Sequence, residues 1–326
     1  MRFVVRRGIF YLITAWAAVT INFVLPRLMP GDPVAALLAK SQGQIDSSAE
    51  DAIRLLFGLD QDASIWQQYV DYWGLLLHGN LGVSFMNFPT PVTEVIAQSL
   101  PWTVGLVGIA TVISFTLGTL VGMGIGWRRG TWADGLLPAT TFFSAVPYFW
   151  LGLIAIALFS VTLGWFPASG SYDRSMIPAL TPEFAGSVIR YGTLPAFTIV
   201  LSSVSGWILG MRNMMVTVSS EDYVTVAQAK GLPERSVVVG YAARNAILPQ
   251  MSSFTLALGF IVGGTLIMEM VFSYQGIGFL LYQAVGNHDY PLMQGCFLVI
   301  TLAVLVANMA ADVIYAVLDP RTRQEG

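Results

Sequence analysis

Six stretches of this chain are each long and apolar enough to decide what solvent it folds in. They are approximately Gly8–Leu28, Trp102–Trp127, Leu136–Leu163, Leu194–Val216, Phe254–Phe272 and Leu292–Leu318. A helix crosses a bilayer with roughly 20 consecutive apolar residues. Within lipid every backbone N–H and C=O must be paired inside the structure, so all six are read as helices rather than as strands with open edges. The balance of residues agrees: 326 residues are 55% hydrophobic and 11% charged, with a mean hydropathy of +0.66. A water-facing surface on a chain of this length needs far more charge.

The expected fold is all-α and integral to the membrane, in a single domain, 1–326. It has a first span at 1–29, a long extracytoplasmic loop at 30–99, a five-helix core at 100–318 and a tail at 319–326. Pro138 and Pro147 predict kinks in the third span. Gly118-xxx-Gly122, Gly206-xxx-Gly210 and Gly259-xxx-Gly263 have the small-xxx-small spacing of close helix contacts. Arg2, Arg6 and Arg7 precede the first apolar run, as in a signal peptide, but no small-residue cleavage site follows it, so it is read as a retained span. The lone Cys296 sits in an apolar run and allows no intrachain disulfide.

Lysine and arginine placement orients the bundle. With the N-terminus inside, the inner segments hold Arg2, Arg6, Arg7, Arg128, Arg129, Arg212, Lys230, Arg235, Arg244, Arg321 and Arg323. The outer ones hold Arg27, Lys40, Arg54, Arg174 and Arg190, although their loops are longer. Both termini are therefore expected in the cytoplasm. The loop after the first span is too long to be a plain connection. It carries Asp32, Asp46, Glu50, Asp51, Asp60, Asp62, Asp71 and Glu94, and Ser64–Leu77 could form a short amphipathic helix. A docking or gate-covering loop and a packed cap fit equally.

Catalytic chemistry finds no foothold. His78 and His288 make no metal-binding spacing, no nucleophile has a base nearby, and no basic patch with interleaved aromatics suggests nucleic acid. No G-x-x-x-x-G-K-[ST] loop is present, so the chain does not bind ATP in that manner. Glu269 and Asp312 lie within or at the ends of spans, where charge is costly and often functional. A gate or proton site is one reading. Their places near helix ends favour hydrogen-bonded or ion-paired anchors.

The polar segment Glu221–Gln250, within the loop 217–250, stands out: EDYVTVAQAKGLPERSVVVGYAARNAILPQ. Ser219 and Ser220 are suitable N-caps, and Glu221 and Asp222 suit the positive end of a helix dipole. Lys230 falls in the last turn, Gly231 just past it, and Pro233 stops continuation. A helix is expected at about Glu221–Lys230. A second starts at Pro233, with Val237, Val238, Tyr241, Ala242 and Asn245 as its inner stripe. These signals leave two readings: a surface connector, or a projecting helix that fits a groove on another protein.

These residues resemble a known family. Asp222-Tyr223-Val224 through Ala227-x-Ala229-Lys230-Gly231-Leu232, then Arg244-Asn245-Ala246 and Leu248-Pro249, resemble the cytoplasmic EAA loop of permease subunits of ATP-binding-cassette importers. The branch is the dipeptide/oligopeptide/nickel permease family. Glu269-x-Val271-Phe272, Gly276-x-Gly278, Asp289-Tyr290-Pro291 and Asp312-x-x-Tyr315-Ala316-x-Leu318-Asp319-Pro320-Arg321 continue the match. Upstream, Leu28-Met29-Pro30-Gly31-Asp32-Pro33, Gly79-Asn80-Leu81-Gly82 and Leu163-Gly164-Trp165-Phe166-Pro167 fit as well.

The resemblance implies a type I importer permease with six transmembrane helices and a coupling helix. Asp222, Tyr223, Ala227, Ala229, Lys230, Gly231 and Leu232 are its implied contacts with a cytoplasmic ATPase. It implies a homologous second permease chain, one or two ATPase subunits that bind ATP and Mg, an extracytoplasmic substrate-binding protein and surrounding lipid, with no nucleic acid and no cofactor in this chain. Gln228 and Thr225 stand where relatives often carry arginine, and Val226 replaces a small polar residue; Ala227 and Gly231 are kept. The implied cargo is a peptide or a short oligosaccharide, for which this chain would form half of the translocation pathway; Phe88-Pro89-Thr90-Pro91-Val92 and Leu281-Tyr282-Gln283-Ala284-Val285 look closer to the oligosaccharide-carrying branch. The rivals are an ion-coupled secondary carrier, which should show inverted repeats, a structural subunit, and a membrane-embedded enzyme, which lacks a catalytic set.

Overall fold

The computed structural model describes residues 2–28, 64–259, 261 and 266–318. Helix α1 (Arg2–Leu28) covers the first apolar stretch. Helix α2 (Ile65–Leu77) is the amphipathic piece expected near there, and the Ser64 hydroxyl caps it by accepting from the Gln67 N–H. Asp32 through Asp62, with Lys40 and Arg54, lie outside the described residues.

Helices α3 (Val92–Trp127) and α6 (Pro182–Val218) have 36 and 37 residues. At about 1.5 Å per residue each is roughly 55 Å long, well beyond a hydrocarbon core of roughly 30 Å. Both begin about ten residues before their apolar runs. For α6 the start is written locally: the Thr181 hydroxyl accepts from the Phe184 N–H, and Pro182 occupies the first helical position. Pro101 and Pro195 lie inside these helices, which continue through them.

The third apolar stretch is two helices. Helix α4 (Leu136–Ala145) meets α5 (Tyr148–Ala155), which runs on as a π-helical segment to Thr162, at 95°. Only Pro147 breaks the chain. Val146 before it is extended (φ −75°, ψ 131°), as a residue preceding proline prefers. Pro138 sits in the first turn of α4, where a missing N–H costs nothing.

After α6 come α7 (Asp222–Ala229), α8 (Glu234–Ser236), a π-helical segment (Val237–Ala243) and α9 (Arg244–Gly259). Then follow α10 (Leu266–Val271), α11 (Ile277–Gly286) and α12 (Tyr290–Leu318). The expected fifth span, Phe254–Phe272, is therefore divided between α9 and α10. Among the described residues four helices are long and apolar enough to cross a membrane: α1, α3, α6 and α12. The bent α4–α5 pair makes five.

The most extensive contact is between α3 and α6, which run parallel. Gly118, Gly122 and Gly126 form the seam. A Cβ on Gly118 would overlap Trp207, one on Gly122 would meet the Ile208 carbonyl and Met211, and one on Gly126 would lie 2.6 Å from the Met215 Cβ. The absence of side chains lets the backbones touch. The other two glycine pairs behave differently. Gly206 faces open space, Gly210 faces the Gln250 side chain, and Gly259 packs on Ala307, while Gly263 lies outside the described residues.

Helices α4 and α5 pack on α6, α10 and α11 on each other, α1 on α12, and α9 on α12 and α6. The bundle thus has two distinct ends. One gathers the tip of α1, α2, α11 and the start of α12; the other carries Trp127, Val218, α7 and α8.

Candidate functional site

Helix α7 begins one residue later than its sequence signals suggest. Glu221 is the N-cap, with extended backbone and no side-chain cap bond. Ser219 and Ser220 do not cap it. Their hydroxyls donate to the carbonyls of Val216 and Thr217 at 2.9 and 2.8 Å, closing the last turn of α6. A serine hydroxyl can serve either neighbour, and here the unpaired carbonyls ending α6 take both.

The stop at Gly231 is as expected. Its φ of +74° lies in the left-handed region that glycine reaches without a steric penalty, and its N–H bonds the Gln228 carbonyl at 2.9 Å. Lys230 is the C-cap rather than a member of the last turn.

Of the residues expected to face a partner, Asp222, Tyr223, Ala229, Lys230 and Gly231 are exposed and Leu232 is half-buried. Ala227 is turned inward. With Val224 it packs on Met211, Met215, Val218, Val237 and Ala242. Two small or β-branched residues three apart seat α7 on the bundle, and the rest of its surface is bare.

The supporting rod differs from its expected stripe. Val237, Ala242, Ala243 and Ala246 are buried, while Tyr241 and Asn245 are exposed. The cause is the π-helical turn at Val237–Ala243. Its wider i→i+5 register shifts the buried face by about one residue from an α-helical count.

Glu269 is fully buried at the opposite end. One carboxylate oxygen accepts from the Thr103 hydroxyl at 2.7 Å. The other accepts from the N–H groups of Gly278 and Phe279 at 2.7 and 3.1 Å. Thr103 in turn accepts from the Ile277 N–H at 2.8 Å. Glu269 and Thr103 thus satisfy the first three amides of α11, which its own N-cap, Gly276, cannot. A Cβ on Gly276 would overlap the Glu269 carboxylate, and one on Gly278 would lie 2.7 Å from the Leu266 Cα. The motif Gly276-x-Gly278 is cut to fit Glu269. In this geometry Glu269 is hydrogen-bonded to the first turn of α11 and to Thr103. The side chain of Asp312 lies outside the described residues.

Asp289, which sequence reading noted only within a motif, is a second such carboxylate. Fully buried, it caps α12 by accepting from the Leu292 N–H at 3.1 Å. Its other oxygen takes the Ser84 hydroxyl at 2.6 Å and the Met86 N–H at 2.9 Å. The visible signal is Asp-x-Pro, a capping residue with proline in the first turn.

Two cavities open near the α11 end. One, of 510 Å³, is lined by Gln98, Ser99, Trp102, Tyr172, Arg174 and Gln283, among others. The second is an apolar groove of 770 Å³ along α3 and α6. Trp102 belongs to both walls and stacks on Tyr172 at 5.4 Å. In the nearby loop, hydrogen bonds from the Ser175 amide and hydroxyl hold the Asp173 carboxyl below the usual carboxylate range.

Known proteins are similar to this chain along nearly all of its length. The family model for binding-protein-dependent transport system inner membrane components matches residues 91–324. A di/tripeptide transport system permease protein, DppB, of Pseudomonas aeruginosa is 34% identical over 100% of this chain and 99% of its own. A putative peptide transport system permease protein of Brucella abortus is 34% identical over 94% and 93%. The oligopeptide transport system permease protein AppB of Bacillus subtilis is 30% identical over 98% of both.

Proposed function

We infer the function of this chain from one premise: it belongs to the family of binding-protein-dependent transport system inner membrane components. It is a multi-pass permease subunit of an importer.

We propose that its cargo is a short peptide, since the DppB, Brucella and AppB relatives are named for peptide transport. A short oligosaccharide, suggested by Phe88-Pro89-Thr90-Pro91-Val92 and Leu281-Tyr282-Gln283-Ala284-Val285, is the second reading of the cargo. The α7 end faces the cytoplasm, as the lysine and arginine count favours. There α7 docks on an ATPase subunit, which holds ATP and Mg, while this chain does no chemistry of its own. A homologous second chain completes the pathway, and a binding protein delivers cargo at the α11 end, beside the polar cavity. The observation that carries this reading is α7 itself. It is a capped helix seated by two buried residues, bare elsewhere, at the end to which both long helices run. An ion-coupled carrier is less well supported, because Glu269 already accepts three hydrogen bonds, from two helix amides and the Thr103 hydroxyl.

The test is Gly231→Pro in the assembled importer. Proline cannot adopt φ +74° and removes the N–H that closes α7. The chain is expected to insert normally, lose ATPase co-purification and lose peptide uptake. Undiminished co-purification and uptake would remove the docking role from α7.

A further inference from the structure

We propose that the tip of α3 is a latch that carries movement of α7 into the membrane helices, with Trp127 and Glu234 as its positioning residues. The inference rests on α7 being the docking helix. By itself α7 is a poor lever. It is eight residues long, about 12 Å, and turns flank it on both sides. Val224 and Ala227 seat its middle, but its two ends lie at the turns Ser219–Glu221 and Gly231 and need ties of their own.

Three consecutive residues of the α3 tip bridge both turns. Before α7, the Arg129 guanidinium donates to the Ser219 hydroxyl at 2.7 Å. After α7, the Trp127 indole N–H donates to the Glu234 carboxylate at 3.0 Å, and Arg128 approaches the same oxygen at 3.5 Å. Glu234 is the first residue of α8, so its attachment fixes the start of the rod that leads into α9. The ring of Trp127 also packs on the apolar cluster that seats Val224 and Ala227.

The contacts are unequal. Arg128 and Glu234 side chains are 70% and 57% exposed, so their ion pair is screened by salt and weak. The indole–carboxylate bond is charge-assisted and joined to a packed ring, which makes it the firmer tie. Behind the tip, Gly118, Gly122 and Gly126 bring the backbones of α3 and α6 into direct contact along the seam. Force on α7 therefore reaches α6 through Val224 and Ala227 and reaches α3 through the latch, and the seam ties α3 and α6 together so that they move with it. Helix α3 also lines the apolar groove, through Ile109 and Ile113.

The experiment uses the full importer complex with Ile109→Cys as a reporter in that groove, labelled with N-ethylmaleimide with and without ATP plus vanadate. The unaltered complex is expected to label at different rates in the two conditions. Glu234→Ala should shrink that difference about fivefold or more while the ATPase still co-purifies. Trp127→Phe should do the same. The double variant should be no worse than either single one, because both remove one bond. Glu234→Gln, which keeps an oxygen for the indole, should restore most of the difference. A full nucleotide response in Glu234→Ala overturns the latch, as do additive losses in the double variant or an unaltered complex with no response. Failure of the docking reading looks different: Gly231→Pro would then leave the ATPase bound.

Discussion

The two ends of this bundle both place carboxylates at helix starts, and they do so with opposite consequences. At the α11 end, Glu269 and Asp289 have no exposed surface, and each accepts three hydrogen bonds. Both reach across the chain: Glu269 is 166 residues from Thr103, and Asp289 is 205 from Ser84. At the α7 end, Glu221 caps with its backbone alone, and Glu234 is largely in solvent, sharing one oxygen between two donors. Burial makes the difference. A donor left unpaired in the interior costs its full desolvation penalty, whereas one at the surface finds water. The first end is consequently fixed, and the second is held by contacts that can be broken and remade.

The largest effect should come from Glu269→Leu. It strands the amides of Gly278 and Phe279 and the Thr103 hydroxyl. At about 1–3 kcal/mol for each of the three, the loss is roughly 3–9 kcal/mol. The expected outcome is a sharp drop in melting temperature in detergent, or no folded protein in the membrane. Glu269→Gln sharpens the point: if it abolished uptake with melting unchanged, the residue would be a working ionisable group and not an anchor.

Asp289→Asn should be milder, about 1–2 kcal/mol, because one amide oxygen still accepts. The segment around Ser84 and Met86 should then exchange its amide hydrogens faster, while the α7 end stays as protected as before. Spread of the effect to α7 would break the contrast between the ends.

The smallest change should be Arg128→Ala, within about 0.5 kcal/mol and present only at low salt. Thermal melts at two ionic strengths test it. A salt-insensitive loss would mean that the α7 end is as rigidly held as the other.

How much of the structure is legible in the sequence differs from element to element. Helices α1 and α12 follow their apolar runs, because their apolar length makes up most of their helical length. The starts of α3 and α6 escape a count of apolar residues because polar residues such as Thr93, Glu94 and Gln98, or Glu183 and Arg190, interrupt it, although Thr181-Pro182-Glu183 is a readable start for α6. The fifth apolar run looks continuous, and nothing in its hydropathy separates α9 from α10. In the candidate site, Gly231 and the existence of α7 are readable from local chemistry. The inward turn of Ala227 is not, since it depends on which neighbour α7 lies against. The π-helical register of Val237–Ala243 is also hidden, because an apolar count assumes the α-helical period.

The sequence by itself determined that this chain is helical and lies in a membrane, and where one short polar helix must stop. Those properties follow from residue chemistry acting over a few positions: apolar length, proline geometry, and the freedom of glycine at φ +74°. Only the tertiary structure decided that Glu269 bonds the first turn of α11, that Ser219 closes α6 instead of opening α7, and that the α3 tip holds both flanks of α7. Each of these is a choice among hydrogen-bond partners. The Glu269–Thr103 and α3-tip contacts join residues from 90 to 166 positions apart, and Ser219 chose between two adjacent helices. Side chains of the same type can serve either role until the fold removes the alternatives and the water.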